Sequence, residues 1–389
     1  MKDDTLLVTG GRSHPDEPHL VNPPVCRGST VLFPTLEALQ NRKGSRGLSY
    51  GRHGTPTTFA LQEAFAALEG ADGCHVVASG KAAIAVAMTA LVATGDHVLV
   101  TDNAYGPTRH FCDHVLRRFG VETTYFPPMI GAGIAGLLRP NTKLVFTEAP
   151  GSQTFEVQDV PALAQAAKAH GALTVMDNTW ATPLFFRPYD HGVDVTIHAA
   201  TKYVVGHSDA MMGLITWCGA EVGRRIDAGV KDFGAPASPD DCYLALRGLR
   251  TMGVRLRHHE TAALEVARWL QARPEVARVL HPALADCPGH DVFRRDFKGS
   301  SGLFGVVLQP VGHPALAAML DGMELFGMGY SWGGYESLMI PAEPMRTAAP
   351  WHDAGPLLRL HIGLEDVGDL LADLEAGFAR LHRAEKGAA

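Results

Sequence analysis

Through the middle of the chain, short and nearly unbroken apolar runs alternate with longer segments whose apolar positions recur every three to four residues. The runs predict strands over residues 75–79, 97–101, 121–126, 143–149, 172–177 and 194–199, and the intervening segments predict helices over 82–93, 109–118 and 161–170. A further helix is expected over 57–68, with Thr57 and Thr58 as capping residues and Gly70 as its stop. Strands this apolar, each followed by a helix, call for a mostly parallel central sheet covered by helices on both faces. The expected fold class is α/β.

Beyond residue 250 the rhythm changes. A long helix is expected over about 254–273, stopping before Pro274, then a strand over 302–309 and helices near 314–320 and over 367–382. This reads as a smaller C-terminal α+β domain with its own core, with a boundary near residue 248. Residues 1–52 follow neither period and carry Asn22-Pro23-Pro24 and the run from Asn41 to Gly47, the mark of an arm or functional loop. The expected organisation is an arm (1–52), an α/β domain (53–248) and a C-terminal domain (249–389).

Composition narrows the function classes. A net charge of −7 with no basic stripe gives no footprint for nucleic acid. The longest apolar run, 82–93, is too short to span a bilayer, and the acidic start Met1-Lys2-Asp3-Asp4 has no apolar stretch of a secretory signal. Six cysteines without a CxxC pair suit a reducing cytoplasm. His110 and His114 have helical ligand spacing, but Cys112 between them projects from a different face, so no metal is expected.

The chemistry concentrates at strand ends. Thr201-Lys202-Tyr203 follows the strand ending at Ala199, and a lysine just past the carboxyl end of a buried strand sits where open α/β sheets bind ligands. Asp177 ends another strand. Lysine and aspartate together are the pair that forms a covalent imine with pyridoxal 5′-phosphate (PLP) and holds its ring nitrogen protonated. Ser79-Gly80-Lys81 opens an apolar helix, whose first-turn N–H groups form an anion site, though many strand–turn–helix junctions look alike. Tyr50 and Arg52 are either phosphate ligands or part of a surface loop. Tyr105 is either stacked on the cofactor ring or a packed loop aromatic. Arg359, in an alternating strand, meets either a substrate carboxylate or a structural ion pair. Tyr330-Ser331-Trp332-Gly333-Gly334-Tyr335 is glycine-rich with large aromatics, a composition suited to lining a pocket.

Taken together, the motifs at residues 49–52, 177–179, 201–203, 206–209 and 359–365 resemble the Cys/Met-metabolism PLP-dependent enzyme family nearly end to end. The resemblance implies the PLP-dependent transferase-like fold (fold type I) and a carbon–sulfur lyase acting on a small amino-acid substrate. It implies that Lys202 is the Schiff-base lysine that moves the Cα proton, that Asp177 pairs with the ring nitrogen and that Tyr105 stacks over the ring. Gly80, Lys81 and Thr201 bind the phosphate, together with Tyr50 and Arg52 from a neighbouring subunit. Arg359 and Ser331 hold the substrate carboxylate, while Tyr330 and Trp332 mark the β-eliminating branch, whose substrate is cystathionine. The family's arm exchange implies a homotetramer of two catalytic dimers. Two positions depart from the pattern: Ala199 stands where much of the family has serine, and His110, after Arg109, where the β-eliminating branch has an acidic residue.

Overall fold

The computed structural model describes residues 1–12, 19–41 and 48–388. Residues 42–47 of the irregular N-terminal run, and residues 13–18, lie outside the described residues.

A seven-stranded sheet forms the centre, built from β1 (Gly73–Val77), β2 (His97–Thr101), β3 (Glu122–Phe126), β4 (Thr142–Glu148), β5 (Leu173–Asp177), β6 (Val195–His198) and β7 (Gly213–Trp217) in the spatial order β1-β7-β6-β5-β4-β2-β3. The pairs β2–β3, β2–β4, β4–β5 and β5–β6 are parallel, while β7 runs antiparallel to both its neighbours. Alternation within the strands sends side chains to both faces. Val98 and Val100 of β2 join Ile84, Ala87 and Met88 in one core, and Leu99 between them packs with Leu163 and Ala167 in another. This is the mostly parallel, doubly covered sheet that the apolar runs predict.

β7 was not among the sequence expectations. No crossover helix separates it from β6; residues 199–212 make the connection instead, so the alternation cue is missing there. The first helix after the arm, Pro56–Glu69, also caps differently: Thr55, not Thr57 or Thr58, accepts the N–H of Thr58. Thr57 is buried and donates to Pro24 O at 2.8 Å while accepting from Cys26 N at 2.8 Å, pinning the arm to the helix start.

A second sheet, in the order β10-β11-β9-β8, comprises β8 (Val276–Leu280), β9 (Leu303–Leu308), β10 (Leu338–Ala342) and β11 (Leu357–His361) and is antiparallel throughout. The two sheets are joined by one 33-residue helix, Pro239–Gln271, which runs through residue 248. It begins well before the expected residue 254, because Ser238 caps it, Pro239 suits its first turn, and Cys242, Ala245, Leu246, Leu249 and Met252 continue a buried helical stripe. The amino-terminal helix Asp3–Thr9 is tied to its flank: Arg250 donates to Leu7 O at 2.9 Å and Gly10 O at 2.7 Å, and Arg257 pairs with Asp4 at 3.0 Å.

Candidate active site

The carboxyl ends of β2, β4, β5 and β6 lie along one edge of the central sheet, and each ends in or just before a polar side chain of the candidate site: Tyr105, Glu148, Asp177 and Lys202. After β6 the chain turns tightly, with Lys202 N donating to Ala199 O at 3.0 Å and Gly206 N to Lys202 O at 2.8 Å. The Lys202 ammonium then reaches Ser331, donating to its Oγ at 2.6 Å, and lies 5.1 Å from the centre of the Trp332 ring. Burial, and secondarily the Arg359 charge, pull the Lys202 pKa down to about 8, against an opposing pull from Asp177. A lysine so placed loses its proton near neutrality, which a nucleophile and proton carrier requires.

Asp177 is buried at the end of β5. Its Oδ1 accepts from Thr179 N at 3.0 Å and Thr179 Oγ at 2.5 Å, while no donor among the described residues reaches Oδ2. Burial pushes this carboxyl up, held back by the Thr179 bonds and by its neighbours His198 and Lys202. A half-satisfied buried carboxylate suits a cationic N–H.

Glu148 pairs in register with Asp177 on the next strand, and its Oε2 accepts from Tyr105 N at 2.8 Å. Burial, then the Asp177 charge, push Glu148 well up. Sequence reasoning missed this residue, although a carboxylate ending a buried strand is the same signal that singled out Asp177. The Tyr105 phenol is raised by burial and by Glu148 and Asp177, so it stays protonated at neutral pH.

At the anion end, Ser79 caps the helix Gly80–Leu91 by accepting from Ala82 N at 3.1 Å, leaving the N–H groups of Gly80 and Lys81 outside the helical ladder. A Cβ on Gly80 would lie 2.6 Å from Ala199 Cβ, so only glycine fits this close approach of helix to strand end. The Thr201 hydroxyl lies on the same turn as Lys202, accepting from Met212 N at 2.9 Å.

The second sheet supplies the far wall. Arg359 donates through Nη2 to Ser331 O at 2.9 Å and Gly329 O at 3.4 Å, while no acceptor among the described residues meets its Nη1, leaving one arm of the fork open to a carboxylate. Ser331 has φ +78° and Tyr330 projects almost fully into solvent.

Tyr50 and Arg52 are not brought to Lys202 within this chain. Arg52 donates to Lys231 O at 3.1 Å, lies 5.8 Å from the Tyr50 ring centre, and borders a separate cavity with Thr58, His75 and Asp227. Arg109 also turns inward: it is buried, pairs with Asp102 at 2.8 Å and lies 3.7 Å over the Tyr125 ring. His110 is exposed and stacks on His114 at 4.2 Å.

The fit to pyridoxal phosphate follows from these groups: a depressed lysine, a carboxylate oxygen without a donor, free helix N–H groups beside a position closed to any Cβ, and an arginine with an open edge. Comparison with known proteins points the same way. The cystathionine beta-lyase MetC of Escherichia coli K12 is 48% identical over 98% of this chain and 99% of its own length. The cystathionine beta-lyase of Salmonella typhimurium LT2 is 46% identical over 97% and 98%. A crystal structure of cystathionine gamma synthase from Xanthomonas oryzae pv. oryzae in complex with cystathionine superposes with a TM-score of 0.90 at 33% identity, covering 99% of both chains. Residues 4–379 match the family described as Cys/Met metabolism PLP-dependent enzyme, and with a lysine, an aspartate and an arginine converging as that chemistry requires, the chain belongs to it.

Proposed function

We propose that this chain is a PLP-dependent cystathionine β-lyase, converting L-cystathionine and water to L-homocysteine, pyruvate and ammonia as a step in methionine biosynthesis. The observation that carries the reading is the half-buried Lys202 ammonium, which donates to Ser331 and feels Asp177 and Arg359, with its pKa drawn down to about 8. The near full-length similarity to two bacterial cystathionine beta-lyases supports the substrate.

When bound, pyridoxal phosphate supplies an aldehyde for the amine and an electron-withdrawing ring that accepts charge from the substrate Cα. Lys202 and Asp177 would hold its two ends of reactivity, and Gly80 N–H, Lys81 N–H and Thr201 its phosphate, with Tyr50 and Arg52 reaching in from a neighbouring subunit. Arg359 binds the substrate α-carboxylate and Ser331 fixes the adjoining turn. Lys202 Nζ takes the Cα proton, and Lys202 or the Tyr105 phenol delivers a proton to the departing sulfur. Asp177 would pair with the ring N–H. Tyr330 and Trp332 line the entrance. The arm over residues 1–52 serves a partner subunit in a homotetramer of two dimers, and six free cysteines suit the cytoplasm.

A second reading, γ-synthesis or γ-lysis, is favoured by the likeness to the Xanthomonas γ-synthase. Incubating the loaded protein with L-cystathionine separates the two: pyruvate with homocysteine supports β-elimination, 2-oxobutyrate refutes it. Lys202→Ala abolishes turnover on either reading, and retained turnover would refute the assignment of Lys202.

A further inference from the structure

β11 presents Arg359 and, two residues on, His361 on the same face, but only the arginine has a place in the reading above. His361 is fully buried. Its Nε2 accepts the Gly333 N–H at 3.1 Å and lies 3.2 Å from Gly334 O, while Nδ1 has no partner among the described residues. Its ring lies 5.2 Å from His259 and 6.0 Å from Tyr203, centre to centre.

The residue it holds touches Lys202. Gly333 has φ +81°, and a Cβ there would sit 3.0 Å from Lys202 Cα and 2.9 Å from Tyr203 N, so the turn lies directly on the lysine's own backbone. One residue back, the Trp332 ring stands over Lys202 Nζ, and two residues back Ser331 Oγ accepts from it. Ser331 itself sits at φ +78°, a region that a side chain other than glycine occupies only when its surroundings enforce it. Arg359 grips the start of this turn through the carbonyls of Gly329 and Ser331; His361 grips its end.

We propose that His361 is a positioning residue for the reaction: by holding the Gly333 N–H it clamps the 330–334 turn onto Lys202 and so sets Ser331 and Trp332 around the reacting amine. The inference rests on Lys202 being that amine. A neutral ring is required, since Nε2 must keep its lone pair for Gly333. Burial, then His259, with further contributions from Arg359 and Lys202, drives the ring pKa down to about 3, so the clamp does not titrate in the working range.

The test uses the full-length holoenzyme and the visible absorption of its bound cofactor against pH, whose midpoint reports the proton held at Lys202 Nζ without turnover. The charged groups facing Nζ are Arg359 from β11 and Asp177 from β5; the titratable and charged groups facing His361 are His259, Arg359 and Lys202. His361→Asn, whose amide is too short to reach Gly333, loosens the turn, admits water to Nζ and raises the midpoint by about half a unit or more, with kcat down about tenfold. His361→Gln restores both, because its oxygen accepts from Gly333 and its NH2 donates to Gly334 O. Combined with Ser331→Ala, His361→Asn adds little further shift. A folded His361→Asn holoenzyme with wild-type midpoint and kcat overturns the proposal. If the Asn variant does not fold, the Gln variant decides: a wild-type midpoint supports the clamp and a displaced one overturns it. A wild-type protein with no cofactor band overturns the reading of Lys202 and this inference with it.

Discussion

Asp102, just past the end of β2, ties the segment between β10 and β11 to the first sheet, and removing its charge tests how the site is held. The carboxylate is fully buried and accepts from Thr347 N, Thr347 Oγ, Ala348 N and Ala349 N at 2.8–3.0 Å, and from Arg109 Nη1 at 2.8 Å. Asp102→Asn keeps one acceptor oxygen but turns an NH2 toward N–H donors and strands the buried Arg109 guanidinium. Leaving one partner of a buried ion pair uncompensated costs about 3–5 kcal/mol. With unfolding entropy of about 2.1 cal/mol/K per residue, a 389-residue chain has ~0.8 kcal/mol/K, so Tm falls by about 4–6 °C. Thermal scans at one fixed rate, monitored by circular dichroism, measure this. Arg109→Met in the Asn background returns most of the loss, since the stranded cation is gone. The sign with pH is also fixed. Burial pushes the Asp102 carboxyl up, but the hydrogen bonds from Ala349, Thr347 and Arg109 outweigh it and hold it below its ordinary value. The stabilisation is therefore complete above the ordinary carboxyl range and is lost as pH falls through the lower folded value, so wild type and variant converge in acid. A Tm loss under about 1 °C at neutral pH refutes the tie.

Tyr105→Phe keeps the ring and removes a phenol that stays protonated; kcat/KM falls about 10- to 100-fold, without moving the alkaline limb of the pH profile. Thr179→Val removes the donor to Asp177 Oδ1 and the acceptor for Ala199 N at 2.8 Å, so the Asp177 carboxyl rises and cofactor affinity, measured by equilibrium dialysis, falls about tenfold or more.

The central sheet was legible because most of its parallel strands are compact apolar runs set off by helical segments; β3, with only Phe126 buried, is the exception. β7 escaped because what precedes it is the loop that carries Lys202, so function displaced the alternation that would have announced it. β8 and β10 escaped for a different reason: as short strands of an antiparallel sheet, Val276–Leu280 and Leu338–Ala342 have mixed burial and no repeating connection. In the site, Lys202, Asp177 and Arg359 stood out as charges among apolar neighbours. Glu148 carries the same mark and was overlooked. His361 carries none, because its role depends on a turn some thirty residues earlier in the chain that only the folded structure brings to it. Tyr50 and Arg52 were legible as a motif, yet a single chain does not carry them to Lys202.

The two sheets act on Lys202 with opposite sign, and that opposition is open to measurement. Burial is the largest influence lowering its pKa; the Arg359 cation from the second sheet lowers it further, and the Asp177 carboxylate from the first raises it. Replacing Arg359 by Leu removes the cation, so Lys202 titrates above about 8; replacing Asp177 by Asn removes the anion, so it titrates below. Each displacement is about half a unit to one unit if the charges interact through an effective dielectric near 20. Neither variant binds substrate or cofactor normally, so turnover is the wrong readout. Labelling of the Lys202 amine in the cofactor-free chain at a series of pH values, followed by peptide mass mapping, reads the midpoint directly. Burial alone would leave both midpoints near the wild-type value, and two shifts in the same direction would mean that the substitutions act by opening the site to water. Only shifts of opposite sign are compatible with a lysine poised between the two sheets.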